Sequence, residues 1–300
     1  MPTIPAAEWE TTPDLVRGLL AEQCPTLAHL PVSPFTHGWD NDMFRLGDAL
    51  LVRLPRRAAS VLLIEHEARW LPTIAARVTR PLPRPVFVGR PSAAFAHPWT
   101  VVPVLPGVVA ADVPLGRRTA AAEGLADFLR SLHTPAPADA PLNPFRGGPL
   151  DGPGFHDRVL ERVARHGERD ALARRWEAWS RAPAWPGPAL WLHGDAHPLN
   201  LLLDGAGQLA GVIDWGDLTS GDPACDLASA WLLFEPEGRR RFLARARGNA
   251  AYDRHVWLRA RAWALHLGLI FSQLADDMPR LRQVGELALG NVLAEPAGVP

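Results

Sequence analysis

A short loop around residue 195 carries the residues best suited to chemistry. Asp195 is followed five positions later by Asn200, in the run His-Gly-Asp-Ala-His-Pro-Leu-Asn that begins at His193. An aspartate can accept the proton of an attacking hydroxyl, and an asparagine five residues on can bind a metal ion on nucleotide phosphates. We therefore predict Asp195 as the catalytic base, Asn200 as a metal ligand and His193 as a structural support. The simpler alternative is that these are ordinary loop residues.

A hairpin is predicted directly after this loop. Two apolar runs, 201–203 and 209–213, enclose Asp-Gly-Ala-Gly, a sequence typical of a tight turn. The hairpin would carry Asp214 back towards Asn200. Asp214 begins an Asp-Trp-Gly triplet, at the place where protein kinases carry an Asp-Phe-Gly whose carboxylate binds Mg2+. Asn200 and Asp214 are therefore the predicted Mg2+ ligands.

In their order and spacing these motifs resemble the aminoglycoside phosphotransferase family, the small-molecule branch of the protein-kinase-like fold. The resemblance implies an α+β, two-lobed fold with a small antiparallel-sheet N-terminal lobe and a mostly helical C-terminal lobe. We predict a nucleotide-binding lobe over residues 1–105, and a helical lobe with the catalytic loop and the acceptor pocket over residues 106–300. The resemblance also implies Mg2+ as cofactor and ATP or GTP as co-substrate.

Arginine stands where this family usually carries a phosphate-contacting lysine. The chain has no lysine, so all 31 basic residues are arginine, and a Walker-type Gly-Lys loop or a lysine base is excluded. The third predicted strand, 50–54, carries Arg53, whose planar fork can hold two oxygens at once. Glu67, in a predicted helix over 58–77, is its expected partner, with Glu65 as the competing candidate. We predict that Arg53, held in place by Glu67, binds the nucleotide phosphates, so that both residues belong to the nucleotide site.

Two further nucleotide contacts are expected from the resemblance. The turn at Gly38, between predicted strands 34–37 and 43–46, lies where a kinase-like fold covers the phosphates, although an ordinary hairpin turn is the alternative. Strands 86–89 and 100–105 would complete a sheet of about five strands, with residues 100–107 as the hinge for the adenine base. Because Pro103 has no amide proton, the Val102 carbonyl and the Val104 amide are the expected edge contacts.

Most of the C-terminal part reads as helical, with one functional hairpin. Residues 134–154 are rich in Pro and Gly and are predicted to form a loop. Asp226 is expected to hydrogen-bond the backbone of the catalytic loop, and Asp222 to cap the helix that follows it. The predicted helices cover residues 115–133, 155–179, 228–234, 238–247, 252–274 and 281–293.

Composition limits the partners. The net charge of −1 and the pI near 6.8 give no basic surface for nucleic acid or anionic membranes. The N-terminus lacks a leader pattern, no apolar run reaches the ~18 residues of a membrane span, and Cys24 and Cys225 lack metal-type spacing. We expect a soluble cytoplasmic protein whose partners are a small molecule and a nucleotide, with no nucleic-acid or membrane partner.

The acceptor is less defined by the sequence than the reaction. Aminoglycosides are polycations, yet residues 217–300 contain ten acidic and ten basic residues, a balance that gives no net support for a polycation. Four carboxylates could still cluster locally as substrate ligands, namely Asp217, Glu235, Asp276 and Asp277, with solvated helix faces as the alternative.

Three hypotheses follow. The first is a phosphotransferase acting on a hydroxyl of an aminoglycoside-type antibiotic, with antibiotic resistance as its role. The second is a metabolic kinase for an amino alcohol, sugar or amino-acid derivative. The third is a nucleotide-binding protein without turnover, in which Arg53 in place of the usual lysine has abolished transferase activity.

Overall fold

The chain divides into two compact units. The computed structural model describes residues 5–152, 154–249, 251–274 and 278–296. Pro2–Pro106 and Val212–Gly216 form one unit, here the sheet unit, and Gly107–Gly211 with Asp217–Pro300 form the other, here the helical unit. The sheet unit thus includes the segment Val212–Gly216, which carries Asp214. The division into a nucleotide-binding lobe over residues 1–105 and an acceptor lobe over residues 106–300 stays a prediction.

The sheet unit contains a five-stranded antiparallel sheet of order β1-β2-β3-β5-β4. Its elements are α1 (Pro13–Gln23), β1 (Val32–His37), β2 (Asn41–Leu46), β3 (Leu50–Pro55), α2 (Ala58–Ala75), β4 (Phe87–Gly89) and β5 (Trp99–Pro103). Thr12 caps α1 by accepting a hydrogen bond from the Leu15 amide, with Pro13 in the first turn. The predicted antiparallel N-terminal sheet is therefore confirmed.

A single apolar cluster joins α1 to one face of this sheet. The buried side chains of α1 are Val16, Leu19 and Leu20. They belong to the same cluster as buried residues of the strands, which are Val32, Phe44, Leu46, Val52, Leu54, Trp99 and Val101. Burial of this apolar area fixes the sheet, and with it the position of β3 in the middle of the sheet.

The helical unit contains most of the helices. They are α3 (Leu115–Arg118), α4 (Ala122–Leu132), α5 (Phe155–Ala164), α6 (Arg169–Ser180), α7 (Ala224–Leu227), α8 (Ser229–Leu233), α9 (Pro236–Ala246), α10 (Val256–Ser272) and α11 (Pro279–Ala294), with 3-10 turns at Ala110–Asp112 and Thr119–Ala121. Its strands are β6 (Val108–Val109), β7 (Leu190–Leu192), β8 (Leu201–Leu203), β9 (Leu209–Val212, whose last residue belongs to the sheet unit) and β10 (Thr219–Gly221). The expected α+β class with a helical C-terminal part is confirmed.

Helix α10 forms the centre of this unit. Its side chains are buried around almost the whole circumference, and it packs against α11, α7 and α6. A helix that is apolar on all sides is stable only when neighbours cover every face, which matches this position. Among the described residues, no helix is both long and apolar enough to span a membrane.

Two predictions about the helical unit were wrong. The segment 155–179 is not one long helix, because α5 ends at Ala164 and α6 begins at Arg169, with Gly167 in the break. The predicted hairpin, β8 and β9, is joined by β6, and β7 pairs with β10 in a second small sheet. These added strands have only two or three residues each, too few for an alternating pattern to show in the sequence.

Candidate active site

The loop between β7 and β8 is a compact turn. The His197 amide donates to the Asp195 carbonyl at 2.8 Å, and the Asn200 amide donates to the His197 carbonyl at 2.9 Å. Gly194 has a φ of +85°, and a Cβ added there would lie 2.3 Å from the Asp217 carbonyl oxygen. Only glycine fits this backbone, so the loop that carries Asp195 lies directly against the chain around Asp217.

The carboxylate of Asp226 holds the backbone of this loop. Its carboxylate accepts hydrogen bonds from the amides of His193 (2.8 Å) and Gly194 (2.9 Å), as was expected of Asp226. The Nε2 of His133 lies 3.1 Å from the same carboxylate, and the Tyr252 hydroxyl lies 2.7 Å from the Nδ1 of His133. This buried chain of polar groups holds the backbone of the loop in one place.

Three donors surround the carboxylate of Asp195. Arg146 Nη2 lies 3.3 Å from Oδ1, while His197 Nε2 and Asn200 Nδ2 lie 3.1 and 3.2 Å from Oδ2. The Nδ1 of His197 accepts a hydrogen bond from the Leu199 amide at 3.2 Å, so the neutral ring carries its hydrogen on Nε2 and donates to Asp195. His197 therefore contacts both the loop backbone and the predicted base.

These donors hold Asp195 in its ionised form. Burial raises the pKa of the carboxyl, but His197, Arg146 and His193 outweigh this effect and hold the pKa below its ordinary value. His193 also accepts a hydrogen bond from the Asp195 amide on Nδ1, at 3.2 Å. The group is therefore a charged acceptor that can orient a hydroxyl.

Asn200 presents an oxygen suited to a hard cation. Its amide nitrogen donates to the carbonyl oxygen of Asp195 at 3.0 Å and to the carboxylate of Asp195 at 3.2 Å. This fixes the amide orientation and leaves Oδ1 without a donor among the residues that the structure describes. An amide oxygen in this state is a ligand of the type that Mg2+ prefers.

A second carboxylate shares Arg146 with Asp195. Arg146 Nη2 lies 3.6 Å from Asp217 Oδ2, and the side-chain amide of Asn143 donates to Asp217 Oδ1 at 2.5 Å. Burial lowers the pKa of Arg146, but Asp217 and Asp195 outweigh it and raise the pKa above the ordinary value. Of the predicted substrate residues, the structure thus brings Asp217 to the catalytic loop.

Sequence reasoning missed Arg146 and Asn143. Both lie in the Pro- and Gly-rich segment predicted as a loop, without any periodic pattern. The available signal was Gly147-Gly148, which follows Arg146 directly and favours a backbone that approaches another segment closely.

Arg53 forms a buried ion pair in the sheet unit. On the central strand β3, its Nη2 lies 2.9 Å from Glu67 Oε1, and its Nη1 contacts Glu67 Oε2. The two residues are only 7% and 1% exposed, whereas Glu65 faces solvent. Burial lowers the pKa of Arg53, but Glu67 and then Asp214 outweigh it and raise the pKa. The expected partner is therefore Glu67, and the arginine does not face solvent.

Asp214 has a backbone that non-glycine residues rarely adopt. Its φ is +58°, and it is the non-glycine residue with a positive φ in the part of the chain described. Its side chain is exposed, whereas Trp215 beside it is fully buried and donates to the Val212 carbonyl at 3.2 Å. Such conformations cost about 1–3 kcal/mol and concentrate at functional sites. Packing of Trp215 thus holds an exposed carboxylate in the sheet unit.

The predicted hinge contacts must be corrected. The Val104 amide donates to the Ala49 carbonyl at 2.8 Å, so it is already used inside the sheet. Val102 pairs with Leu51 in the same register, and the alternation of an antiparallel ladder turns its carbonyl towards β3 as well. The same alternation turns the carbonyl of Pro103 away from β3. The sequence did not show towards which neighbouring strand each backbone amide or carbonyl points, because this direction depends on the register with the partner strand.

Gly38 lies in the turn between β1 and β2. Its amide donates to the Asn41 carbonyl at 2.8 Å, and its carbonyl accepts from Arg56 at 2.8 Å. A Cβ at this position would have only one neighbour, at 3.8 Å. These contacts are those of an ordinary hairpin turn. A nucleotide contact from Gly38 stays a prediction.

Of the other predicted substrate carboxylates, the structure describes only Glu235, and it does not bring this residue to the catalytic loop. Glu235 lies just before α9, with a carboxylate oxygen 3.9 Å from the position of a Cβ on Gly116, and it raises the pKa of Arg118 against a larger lowering by burial. Asp276 and Asp277 lie outside the described residues.

Comparison with solved structures shows which folds the chain resembles. In fold, the chain is similar to the GDP complex of aminoglycoside 2'-phosphotransferase-IIIa, with a TM-score of 0.68 and 19% identity over 94% of this chain and 99% of that one. It is also similar to the macrolide 2'-phosphotransferase MphH from Brachybacterium faecium, with a TM-score of 0.60 and 23% identity over 95% and 98% of the two chains.

Sequence comparison matches the chain to one bacterial protein over a short segment and to one family model over most of its length. Over 88 residues the chain is 32% identical to the uncharacterized protein YcbJ of Bacillus subtilis (strain 168), a match that spans 29% of either protein. A model of the phosphotransferase enzyme family, APH, matches residues 31–263, which include both Arg53 and Asp214. The chain therefore belongs to the phosphotransferase enzyme family.

Proposed function

We propose that the protein transfers the terminal phosphate of ATP or GTP to a hydroxyl group of a small molecule. The observation that carries this proposal is the state of Asp195. Its carboxylate is ionised, is held by three donors and is followed by Asn200, whose amide oxygen points away from it. A base beside a metal ligand is the arrangement that phosphoryl transfer requires.

Asp195 acts by orienting the acceptor hydroxyl. Its lowered pKa makes it a weak base, and phosphoryl transfer needs little proton abstraction before the phosphate begins to move. A hydroxyl that donates to this carboxylate has its oxygen lone pair free for attack. The proton moves to Asp195 as the new bond to phosphorus forms, while the bond from phosphorus to the bridging oxygen of the nucleotide breaks and ADP or GDP leaves.

Asn200 in the helical unit and Asp214 in the sheet unit are the proposed ligands of Mg2+. Both offer hard oxygen atoms, and no competing donor binds either oxygen in the described part of the chain. When bound, Mg2+ would neutralise charge on the nucleotide phosphates. Two protein ligands fit a cation that normally keeps water and substrate phosphate in its remaining positions.

Arg53 is the proposed phosphate contact of the sheet unit. Two of its N–H groups bind Glu67, which leaves further donors on a guanidinium that carries five. The buried carboxylate fixes the plane of the fork, so little conformational entropy is lost when phosphate oxygens bind. Arginine thus replaces lysine in this role without loss of charge.

Antibiotic hydroxyls are the first acceptors to test, because the similar folds include aminoglycoside and macrolide phosphotransferases. The metabolic alternative is an amino alcohol, a sugar or an amino-acid derivative, and it is favoured by the prior engagement of Asp217 with Asn143 and Arg146. A nucleotide-binding protein without turnover is the third possibility.

The test has two stages. Thermal unfolding is first measured with ATP and GTP, with and without Mg2+, and we expect a rise in Tm that requires the metal. Release of ADP or GDP is then followed across a panel of antibiotics, sugars and amino alcohols. Mg2+-dependent binding without turnover on any compound would reject the proposed transfer and leave only the nucleotide-binding function.

A further inference from the structure

Arg146 reaches the catalytic carboxylate from a segment 49 residues earlier in the chain. Its guanidinium lies 3.3 Å from Asp195 and 3.6 Å from Asp217. Asp195 and Asp217 therefore share one internal cation. The guanidinium therefore offsets one of the two negative charges and weakens the field of each carboxylate.

The segment that carries Arg146 is fixed by hydrogen bonds. The Asn143 amide donates to Thr219 Oγ1 at 2.8 Å, and the Gly147 carbonyl accepts from the Asp222 amide at 2.9 Å. Gly147 has a φ of +67°, and a Cβ on it would lie 2.5 Å from Leu192 Cδ1. These contacts on both sides of Arg146 keep its guanidinium in place before any ligand binds.

The surroundings of Arg146 add positive charge. Burial, together with the charges of Arg146, Arg162 and Arg158, lowers the pKa of His266 to about 3. His266 is only 7% exposed, and its ring lies 4.6 Å from that of Phe155. The charges of these three arginines thus act on one buried histidine that carries no charge of its own.

We propose that Arg146 is the internal counter-cation of this site, and that it selects an acceptor without positive charge at the groups next to the reacting hydroxyl. The inference rests on the proposed function, because that function makes Asp195 the carboxylate that meets the acceptor. A polycation would have to displace Arg146 from Asp195 and Asp217, whereas a neutral polyol can bind while Arg146 keeps its contacts with both carboxylates. The acceptor class is therefore an uncharged hydroxyl compound of carbohydrate type.

Binding titrations on the full chain test this, without nucleotide and at low salt. The probes are kanamycin, a polycation, and maltotriose, a neutral carbohydrate of similar size. Arg146→Met should bind kanamycin about tenfold tighter than wild type, because two carboxylates lose their internal partner. Arg146→Lys should behave as wild type. Arg240→Met is the matched control, since Arg240 is exposed and pairs only on the surface of α9.

Each result has one meaning. Tighter kanamycin binding by Arg146→Met, with unchanged maltotriose binding, supports the proposal. Kanamycin binding that is equal in wild type and Arg146→Met, including none in either, overturns it, as does tight binding by wild type. Arg146→Gln replaces the Met variant if circular dichroism shows that the latter is unfolded. Because no turnover is measured, failure of phosphate transfer would count against the proposed function and not against this result.

Discussion

Variants of the ion pair between Arg53 and Glu67 distinguish its contribution to the stability of the sheet unit from its proposed contribution to nucleotide binding. Both side chains are almost fully buried, so Glu67→Ala would leave the arginine charge without a partner. Breaking a buried pair in this way costs about 3–5 kcal/mol. Replacing both partners by apolar residues of similar size is close to neutral. Arg53→Met combined with Glu67→Leu should therefore restore stability within about 1 kcal/mol of wild type.

The assay combines unfolding with nucleotide binding. Glu67→Ala should lower Tm by roughly 10 °C, while the double variant should melt close to wild type. If Arg53 holds the phosphates, the double variant is folded but has lost affinity for ATP or GTP, measured by calorimetry. Arg17→Met is a matched control, because Arg17 pairs with Asp14 on the exposed side of α1.

Two results would refute this reasoning. A Glu67→Ala variant with wild-type Tm would show that the arginine finds water or another partner in the sheet unit. A stable double variant that binds nucleotide as tightly as wild type would remove Arg53 from phosphate binding, whatever its contribution to the fold.

Three further predictions follow from single residues. Gly194→Ala should destabilise the protein by about 3 kcal/mol in urea unfolding, because of its positive φ and the clash with the Asp217 carbonyl, whereas Gly205→Ala, with open space around it, should cost less than about 1 kcal/mol. The pKa of His266 is lowered from 6.5 to about 3, so the unfolded chain binds a proton that the folded chain rejects. Stability should therefore fall as the pH drops below 6.5, by about 2 kcal/mol at pH 5, and a His266→Leu variant with the same pH slope would contradict this. Asp214→Gly should gain up to about 1 kcal/mol by relieving the positive φ but lose the Mg2+ dependence of nucleotide binding, and unchanged dependence would exclude Asp214 as a ligand.

The parts of the site that the sequence could predict are those encoded by local spacing. Asp195 and Asn200 lie in one turn, and the amide of Asn200 reaches Asp195 because of that turn. Arg53 and Glu67 meet because a central strand followed by a helix returns the chain over a short distance. In each case a few consecutive elements determine the geometry.

The parts that could not be predicted depend on contacts between distant segments. The hinge prediction at Val102 and Val104 was wrong because the direction of a strand carbonyl depends on its register with β3. Arg146 was missed because hydrogen bonds to the residues after Asp217 determine its position, and its own segment has no regular pattern. The charge around Asp195 depends on the contact with Arg146, and so it could not be predicted from the balance of acidic and basic residues.

The most direct test of the central claim is the effect of Asp195→Asn on transfer and on binding. The substitution keeps the shape of the side chain but removes its charge and half of its acceptor capacity. With Mg2+ and an accepted hydroxyl compound, phosphate transfer should fall by about 10²–10⁴-fold, while the affinity for ATP or GTP stays within a factor of about two of wild type. Turnover within tenfold of wild type would contradict the assignment of Asp195 as the residue that receives the hydroxyl proton.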